Sequence, residues 1–323
     1  MALKEEIIYL LEKNRGRFVS GEEIAAGRNI TRSAVWKCVN SLKSEGYEVI
    51  SANNAGYMLA PESDILSSPA ILANLPGEYA QSAEIYTFKT LDSTNNEAKR
   101  MNANGAPGGD LIIAADGQTA GRGRSGKSFY SPAHEGVYFS VLFRTQKSLA
   151  DATAVTTAAA VAVAETLAEY SAVKPLIKWV NDVYVDGKKV CGILSEAVSD
   201  FESGAVQAVI VGIGINLVTR EFPEEIKNTA GNIGANGFVN RAALIAKIYV
   251  RLKALFEALP DRGYMQTYRA LSAVTGKEIT FERNGAQCSA LALDITGDGG
   301  LVCRLPDGSE TTLRSGEVSI KIK

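Results

Sequence analysis

The stretch that decides the fold lies at residues 117–129 and reads Gly-Gln-Thr-Ala-Gly-Arg-Gly-Arg-Ser-Gly-Lys-Ser-Phe. Four glycines and three cations, Arg122, Arg124 and Lys127, fall within these 13 residues. Arginine forks match the geometry of both carboxylates and phosphates, and the glycines leave the backbone free to close over a ligand. We therefore expect a flexible loop that binds an anionic ligand.

The same stretch matches the G-x-x-x-x-G-K-[ST] pattern of a phosphate-binding P-loop at residues 121–128. A P-loop needs a strand before it and a helix directly after it, because the helix N-terminus holds the phosphates. Residues 111–115 can form that strand, but the aromatic and β-branched content of residues 137–143 indicates a second strand. We therefore predict a loop between two strands and keep a P-loop hydrolase as the disfavoured alternative.

The composition predicts two or three domains with a sizeable core. The chain has 323 residues, a net charge of −2 and a pI of about 5.7, so any DNA-binding surface must be local. Its four cysteines and single histidine, His134, lack metal-binding spacing, which predicts neither a disulfide framework nor a bound metal and favours the reducing cytoplasm. We expect no signal peptide and no membrane partner, since the uncharged run at residues 152–164 is too short to span a bilayer.

Residues 1–64 are predicted to form a winged helix-turn-helix domain. Leu3, Ile7 and Leu10 follow helical spacing, Ser20 begins a second helix, and Thr31 can cap a third. Two short strands around an Asn/Gly turn follow, within residues 47–59. A short helix, a turn, a longer helix and a strand pair form the order expected for this DNA-binding motif.

A local basic face accompanies this motif, because residues 28–43 carry four cations and no acidic residue. Such a face is what a phosphate backbone requires. We predict that the DNA contacts are Arg28, Arg32, Ser33, Lys37 and Asn40. Trp36, in the same segment, is predicted to belong to the core. The alternative is a small helical interaction domain whose cations are merely solvated.

The rest of the chain is predicted to be α+β in two further domains. Residues 61–69 are a polar linker, and residues 65–271 alternate helices and strands as a central mixed α/β domain. From residue 272 to 323, short strands separated by Asn-Gly and Asp-Gly turns predict a small SH3-like β-barrel.

Three motifs in order resemble the biotin protein ligases. They are Asp92-Ser93-Thr94-Asn95, then Gly-Arg-Gly-Arg-x-Gly at residues 121–126, then Lys178-Trp179-Val180-Asn181-Asp182. The N-terminal unit, with its Thr-Arg-Ser-Ala-Val-Trp-Lys run, resembles the regulatory domain of some members. The C-terminal segment, with Gly316-Glu317-Val318-Ser319, resembles the last domain of the family. The resemblance covers nearly the whole chain.

This resemblance implies an ATP-dependent ligase that forms biotinyl-5′-adenylate with Mg²⁺ and then biotinylates a lysine of a biotin carboxyl carrier protein. The implied catalytic residues are Arg122, Arg124, Asp182 and Lys189, with Asp182 either binding Mg²⁺ or orienting the acceptor lysine. The implied biotin-binding residues are Ser93, Thr94, Asn95, Gln118, Arg122, Gly123, Arg124 and Lys189. The implied nucleotide-binding residues are Gly121, Lys127, Phe129, Asn181 and Asn216.

The resemblance also implies a repressor that binds biotin operator DNA as a homodimer when the adenylate is bound. The sequence departs from the family pattern at Val180, Lys127 and Phe129, where Pro, Arg and Trp are usual. A lysine lacks the bidentate fork, and phenylalanine offers a smaller stacking face for adenine. The alternatives are a lipoate-type ligase and a transcription factor that senses a ligand without catalysis.

Overall fold

The computed structural model describes residues 2–26, 30–105, 108–145, 149–199, 205–283 and 285–320; for residues 149–153 it describes the backbone alone. The helices are α1 (Leu3–Lys13), α2 (Gly21–Ala25), α3 (Arg32–Ser44), α4 (Ser68–Asn74), α5 (Gly77–Ser82), α6 (Thr94–Ala103), α7 (Leu149–Leu167), α8 (Arg241–Glu257) and α9 (Met265–Ala270). The first nine strands are β1 (Val49–Ala52), β2 (Gly56–Leu59), β3 (Ala83–Leu91), β4 (Asp110–Gln118), β5 (Gly136–Arg144), β6 (Leu176–Lys178), β7 (Asp182–Val185), β8 (Lys188–Ser199) and β9 (Val206–Asn216). The last five are β10 (Glu278–Arg283), β11 (Ala286–Ile295), β12 (Leu301–Arg304), β13 (Glu310–Leu313) and β14 (Val318–Ile320).

The predicted helix-turn-helix is confirmed at the N-terminus. The Ser20 hydroxyl accepts a hydrogen bond from the Glu23 amide at 3.0 Å and begins α2, and the Thr31 hydroxyl accepts one from the Ala34 amide at 3.2 Å and begins α3. The three helices enclose their own apolar core, and β1 and β2 pair as an antiparallel hairpin beside them.

The central part of the chain is built on a seven-stranded mixed sheet in the order β3-β4-β5-β9-β8-β7-β6. Strands β3 and β4 are parallel, because α6 connects them as a crossover, and the remaining pairs are antiparallel. Helices α7 and α8 cover one face, while α6 packs on the other. None of the helices in the described ranges is long and apolar enough to cross a bilayer.

The Gly/Arg loop, defined as residues 117–129, connects β4 to β5. These two strands pair directly in antiparallel register, from Leu111 opposite Leu142 to Ala115 opposite Tyr138. The strand that follows the loop leaves no helix N-terminus where a P-loop would hold its phosphates. The P-loop alternative is therefore wrong.

The C-terminal part is a second β-sheet, antiparallel, in the order β13-β12-β11-β10-β14. It confirms the predicted change to short strands after the central domain. Within residues 285–320 no pairing joins the edge strands β13 and β14 to each other, so closure into a barrel stays a prediction.

The predicted linker is held in place by two arginines. Arg15, two residues after α1, donates to the carbonyls of Ala60, Pro61 and Ser63, the shortest contact being 2.7 Å to Ser63. Arg241, at the start of α8 and 2% exposed, donates through Nε to Asp64 at 2.6 Å and through Nη1 to Asp116 at 2.5 Å. A charged guanidinium buried this deeply needs both carboxylates. The segment is thus a fixed connection between the N-terminal unit and the central sheet.

Replacing Asp64 with alanine is expected to release this connection while leaving Arg241 bound to Asp116. A hydrogen bond to a charged group contributes about 1.5–3 kcal/mol, so the locally open population of residues 60–68 should rise roughly tenfold or more. Limited proteolysis would measure that rise as faster cleavage within the segment. The exposed neighbour Glu62, replaced with alanine, is the matched control. Equal cleavage of the two variants would show that Arg241 does not hold the linker.

Candidate ligand-binding site

The Gly/Arg loop folds back on itself at the edge of the central sheet. The Gly123 amide donates to the Lys127 carbonyl at 2.7 Å, and the Phe129 amide donates to the Gly121 carbonyl at 2.8 Å. A Cβ atom at Gly121 would lie 2.4 Å from the Phe129 carbonyl oxygen, so only glycine fits there. The fold-back directs Arg122 and Arg124 toward a cleft over strands β7 to β9.

A narrow polar pocket lies at one end of this cleft, beside the start of α6. The Thr94 amide donates to the side-chain oxygen of Gln118 at 2.9 Å, and the Gln118 amide group donates to Ser131 at 2.9 Å. The Ser140 hydroxyl lies 2.7 Å from the Thr94 hydroxyl and 2.6 Å from Oδ1 of Asn95. Ser93 precedes α6, but its hydroxyl does not accept the backbone hydrogen bond that a capping serine would accept. The predicted biotin-binding residues Ser93, Thr94, Asn95 and Gln118 all line this pocket.

Glycines on the sheet make room for the pocket walls. A Cβ atom at Gly212 would lie 2.1 Å from Oδ1 of Asn95, and one at Gly214 would lie 2.5 Å from the Phe129 ring. Phe129 also meets Tyr138 edge to face, with ring centroids 6.4 Å apart. The ring of Phe129 therefore covers the sheet at the point where the pocket meets the rest of the cleft.

The wider end of the cleft is a cavity of about 320 Å³ lined by charged side chains. It shares Arg122, Phe129, Gly192 and Leu194 with the polar pocket, so the two spaces are continuous. The predicted site residues that line the cavity are Arg122, Gly123, Arg124, Lys127, Phe129, Asn181, Asp182 and Lys189. One cleft therefore brings together a neutral polar end and a cationic end.

Lys189 reaches the cavity from the hairpin of β7 and β8. Its turn residues Asp186 and Gly187 both have positive φ, at 49° and 72°, as a tight two-residue turn requires. The Lys189 ammonium lies 2.8 Å from Oδ1 of Asp182, close enough for an ion pair although the direction is wrong for a hydrogen bond. A Cβ atom at Gly192 would contact both the Lys189 side chain and the Phe129 ring, so the glycine leaves room for the lysine to extend over the sheet.

The cationic end holds more positive than negative groups. Arg124 donates to the side-chain oxygen of Asn181 at 3.2 Å, and Asn181 donates to the Ile193 carbonyl at 2.8 Å, which fixes the loop over the sheet. Burial lowers the pKa of Lys178, which also lines the cavity. Burial and the nearby Asp182 charge raise the pKa of Tyr184 to about 12, so this phenol stays protonated. The cavity favours a ligand with several negative charges.

Sequence analysis assigned no role to two acidic residues that contact the side chains lining the cleft. Glu196 on β8 accepts hydrogen bonds from Asn95 at 2.9 Å and from Lys99 at 2.7 Å, and it lies 3.3 Å from Arg122. Glu317 of the C-terminal segment forms an ion pair with Lys127. No motif marks Glu196, although a carboxylate shortly after the apolar run at residues 190–194 was a signal. Lys127, which stands where the family usually has arginine, is thus paired with a carboxylate that is remote in sequence.

The environment of Glu196 predicts a pH-dependent contribution to stability. Burial favours a raised pKa, but hydrogen bonds from Lys99 and Asn95 and the charges of Lys99 and Arg122 outweigh it, so the pKa lies below its usual value of 4.5. A lowered pKa in the folded state stabilises the protein above the unfolded-state pKa, and this stabilisation is lost as the pH falls through the folded-state pKa.

Glu196→Gln is therefore expected to lower the Tm most above about pH 5.5, and this deficit should shrink as the pH falls toward about 3.5. Thermal unfolding across that range is the measurement. Glu62→Gln, at an exposed position, controls for the exchange of a carboxylate for an amide. A deficit that stays constant with pH would mean that the charge of Glu196 is not stabilising.

Asn216 differs in placement from the other predicted nucleotide-binding residues. It is 4% exposed, and its side-chain amide donates to the carbonyl oxygens of Lys189 at 3.4 Å and Gly231 at 3.2 Å. These bonds tie the residue 220–238 segment to the hairpin that carries Lys189. A hydrogen bond from Asn216 to adenine stays a prediction. In this structure the side-chain amide of Asn216 donates to backbone carbonyls instead.

The predicted DNA face lies on the outer side of α3. Arg32, Ser33, Lys37 and Asn40 are all exposed there, whereas Arg28 lies outside the described residues. The prediction that Trp36 belongs to the core is wrong, since the side chain is 57% exposed. Residues on a helix are 100° apart, and the buried positions Val35, Val39 and Leu42 already define the inner face.

Comparison with known proteins assigns a class to each part of the chain. A model described as an HTH domain matches residues 4–58, one of the biotin/lipoate A/B protein ligase family matches residues 87–216, and one of the biotin protein ligase C-terminal domain matches residues 274–321. The fold and the cleft therefore define a protein ligase with a helix-turn-helix domain attached.

Individual relatives agree with this class. The bifunctional ligase/repressor BirA of Bacillus subtilis is 34% identical over 266 residues, which cover 81% of each chain. The bifunctional ligase/repressor BirA of Escherichia coli is 27% identical over 313 residues, which cover 95% of this chain and 94% of that protein. The solved biotin protein ligase of Aquifex aeolicus, in complex with biotin and ATP, superposes with a TM-score of 0.61 at 27% identity, covering 74% of this chain and 99% of that chain. The chain belongs to the biotin protein ligase family, in the group of bifunctional ligase/repressors.

Proposed function

We propose that this protein is an ATP-dependent biotin protein ligase and also a biotin-responsive transcriptional repressor. The observation that carries the ligase activity is the single cleft, which joins a neutral polar pocket to a cavity rich in cations under the Gly/Arg loop. Biotin has a neutral ureido ring at one end and a carboxylate at the other, so it matches these two ends. The names of the relatives support the same pairing of activities.

The polar pocket supports binding of the ureido ring. Thr94, Asn95 and Gln118 are held by one another and by Ser131 and Ser140, so their polar groups are fixed before the ligand arrives. A polar ring buried without partners would lose about 1–3 kcal/mol for each unsatisfied group. Fixed partners supply the hydrogen bonds without further ordering of the protein.

The cationic end supports the chemical step. A carboxylate oxygen of biotin attacks the α-phosphorus of ATP, the bond to the β-phosphate oxygen breaks, and pyrophosphate leaves. Two anions must approach each other for this, and we assign Arg122, Arg124 and Lys189 to neutralise them. The lysine amine of the carrier protein then attacks the biotinyl carbonyl, loses a proton and expels AMP.

The residues of the cavity fit a magnesium ion held largely by the nucleotide. In proteins Mg²⁺ commonly takes one or two carboxylates together with substrate phosphates and water. Asp182 can supply one carboxylate oxygen, and the described residues contain no group of three or more acidic, histidine or cysteine side chains that would hold a metal without the substrate. When bound, the ion would offset the charge of the phosphates. Asp182 can alternatively orient the acceptor lysine.

The N-terminal unit supports the repressor activity. The exposed face of α3 carries Arg32 and Lys37 and lies beside the β1/β2 hairpin, as in helix-turn-helix proteins that read the major groove. One such unit binds DNA weakly, so we propose a homodimer on biotin operator DNA when the adenylate is bound. The protein acts in the cytoplasm, a location consistent with its four unpaired cysteines.

Acylation of a carrier domain tests the ligase assignment. The protein is incubated with ATP, Mg²⁺ and a biotin carboxyl carrier domain, together with either biotin or lipoate. We expect biotin on the acceptor lysine, with release of pyrophosphate and AMP. Transfer of lipoate alone would favour the lipoate-type alternative, absence of any acylation would favour a ligand-sensing transcription factor, and biotin-stimulated release of ADP would exclude adenylation.

The Gly/Arg loop is proposed to retain the adenylate. Arg124→Gly removes the guanidinium that contacts Asn181 and is expected to speed adenylate dissociation about tenfold or more, since a charge-assisted contact contributes about 1.5–3 kcal/mol. A stopped-flow chase with unlabelled biotin plus ATP measures this rate.

Ser125→Gly is the matched control for that experiment. It places an extra glycine in the same loop, at a residue whose φ of 53° glycine adopts freely, and it removes no cation. Dissociation that is equally fast from both variants would attribute retention to backbone stiffness, and an unaltered rate for Arg124→Gly would show that the loop is not the lid.

A further inference from the structure

Trp36 is the most exposed large apolar side chain in the part of the chain that the structure describes, at 57%. It lies on α3 one turn after Arg32 and one turn before Asn40, so the three share the outer face of the helix. A tryptophan in contact with water forgoes the free energy that burial of its large ring would yield. The core of the N-terminal unit is complete without it, because Val35, Val39 and Leu42 are fully or almost fully buried.

The surroundings of Trp36 form a concave surface between α3 and the β1/β2 hairpin. Its lining includes Glu22, Arg32, Trp36 and, from the hairpin, residues 51–54 and 56–57. Lys43 donates to the Ser51 hydroxyl at 2.9 Å, which ties the helix to the hairpin and fixes the width of the surface. The indole therefore stands at one wall of a preformed groove.

The charge around the groove favours DNA as its occupant over an apolar protein segment. Arg32, Lys37 and Lys43 flank Trp36 along α3, and the helix contains no acidic residue. The ion pair of Arg32 with Glu22 is between two largely exposed side chains, so phosphate can replace the carboxylate at little cost. The major groove of DNA admits an α-helix, and its only apolar feature is the thymine methyl group.

We propose that Trp36 determines sequence specificity by packing its indole against a thymine methyl group in the major groove. The inference rests on the proposed repressor function and adds a base contact to it. The neighbouring cations contact phosphates and supply affinity for any DNA, whereas Trp36 discriminates between sequences. Burial of the indole against the base explains why a large apolar ring is retained on a solvated helix face.

Binding measurements on the intact chain with biotin and ATP test the proposal. The two probes are a duplex from the promoter of the protein's own biotin operon and an unrelated duplex of equal length. Trp36→Ala is expected to weaken promoter binding by about tenfold or more and to leave both binding of the unrelated duplex and the salt dependence unchanged. Lys37→Ala is the contrasting variant, since loss of one phosphate contact from each protomer of the dimer weakens binding to both duplexes and lowers the salt slope by about 1.8.

Replacing thymines of the promoter by uracil, one at a time, identifies the contact. Uracil lacks only the methyl group, so one such replacement should weaken binding of the unaltered protein and have no effect on Trp36→Ala. Unchanged far-UV circular dichroism and thermal unfolding show that the N-terminal unit of Trp36→Ala is folded, since this unit has an apolar core of its own.

Fluorescence provides a second readout, because the chain has two tryptophans. Trp179 is 3% exposed and donates to the Gly299 carbonyl at 2.9 Å, so quenching by acrylamide reports chiefly on Trp36. With biotin and ATP present throughout, promoter DNA should protect the emission from the quencher.

Three outcomes would overturn the proposal. Equal weakening of both duplexes by Trp36→Ala would make it a general contact, and unaltered promoter binding by this variant would show that the indole serves another partner. Both of these leave the repressor function intact. If the unaltered chain binds neither duplex, the repressor function fails and the inference fails with it.

Discussion

Alanine in place of Lys189 is expected to slow formation of the biotinyl-adenylate by at least tenfold. The ammonium lies in the cleft beside Asp182 and is proposed to contact the reacting carboxylate and phosphate. A charge-assisted contact of this kind contributes about 1.5–3 kcal/mol, and every 1.4 kcal/mol corresponds to about a factor of ten in rate. Single-turnover release of pyrophosphate from the preformed complex with biotin and ATP measures the step directly.

Lys188→Ala is the matched control, because the two lysines are adjacent on one strand and point to different surroundings. The Lys188 ammonium donates to the Asn228 carbonyl at 2.8 Å, and Lys188 does not line the cavity. Its removal should leave the single-turnover rate within about twofold, as for a surface substitution. An unaltered rate for Lys189→Ala would show that the Lys189 ammonium does not assist adenylation.

Gly212→Ala is expected to weaken biotin binding roughly 10- to 100-fold, as the loss of about 1.5–3 kcal/mol implies. The new Cβ atom would lie 2.1 Å from Oδ1 of Asn95, so the asparagine must move. Asn95 is 3% exposed and held by Ser140 and Glu196, which leaves it no cheap alternative position. Equilibrium titration with biotin alone measures the loss without the chemical step.

Gly77→Ala is the matched control for that substitution. Gly77 begins α5, and a Cβ atom there would meet nothing within 4 Å. This variant should bind biotin as the unaltered protein does, and thermal unfolding of both variants shows whether each is folded. Full biotin affinity in a folded Gly212→Ala variant would mean that Asn95 does not form the ureido pocket.

Most helices and strands were predicted correctly, because the sequence signals that define them involve residues close together along the chain. Caps at Ser20 and Thr31, helical spacing and the Asn/Gly turn within residues 47–59 each act within a few residues, and the structure has the corresponding elements. The strand after the Gly/Arg loop was predicted from its aromatic and β-branched residues, and it distinguished this loop from a P-loop.

What sequence analysis missed depends on residues that are distant along the chain. Glu196 is paired with Asn95 from 101 positions away, and Glu317 is paired with Lys127 across 190 positions. Residues 61–69 were predicted only to be a polar linker, and their composition did not show that Arg241 holds Asp64 from 177 positions away. Trp36 was wrongly predicted to be buried, because an apolar residue of a helix is buried only when it lies on the same face as the other core residues.

The held linker bears on how the two activities communicate. Asp116 contacts Arg241 and lies two residues before Gln118 on β4. Gln118 lines the polar pocket and accepts a hydrogen bond from the Thr94 amide. Arg241 in turn holds Asp64 next to the N-terminal unit. If the adenylate orders the Gly/Arg loop and shifts dimerisation by about 2–4 kcal/mol, DNA affinity changes roughly 30- to 1000-fold.

Binding of the intact chain to its own biotin-operon promoter, with and without biotin plus ATP, tests the central claim most directly. Sedimentation on the same samples reports the assembly state. We expect the ligands to convert the protein to a dimer and to raise promoter affinity by at least about 30-fold, as a coupling of about 2 kcal/mol requires. An assembly state and a promoter affinity that are both unchanged by biotin and ATP would contradict the claim that one chain couples adenylate formation to repression.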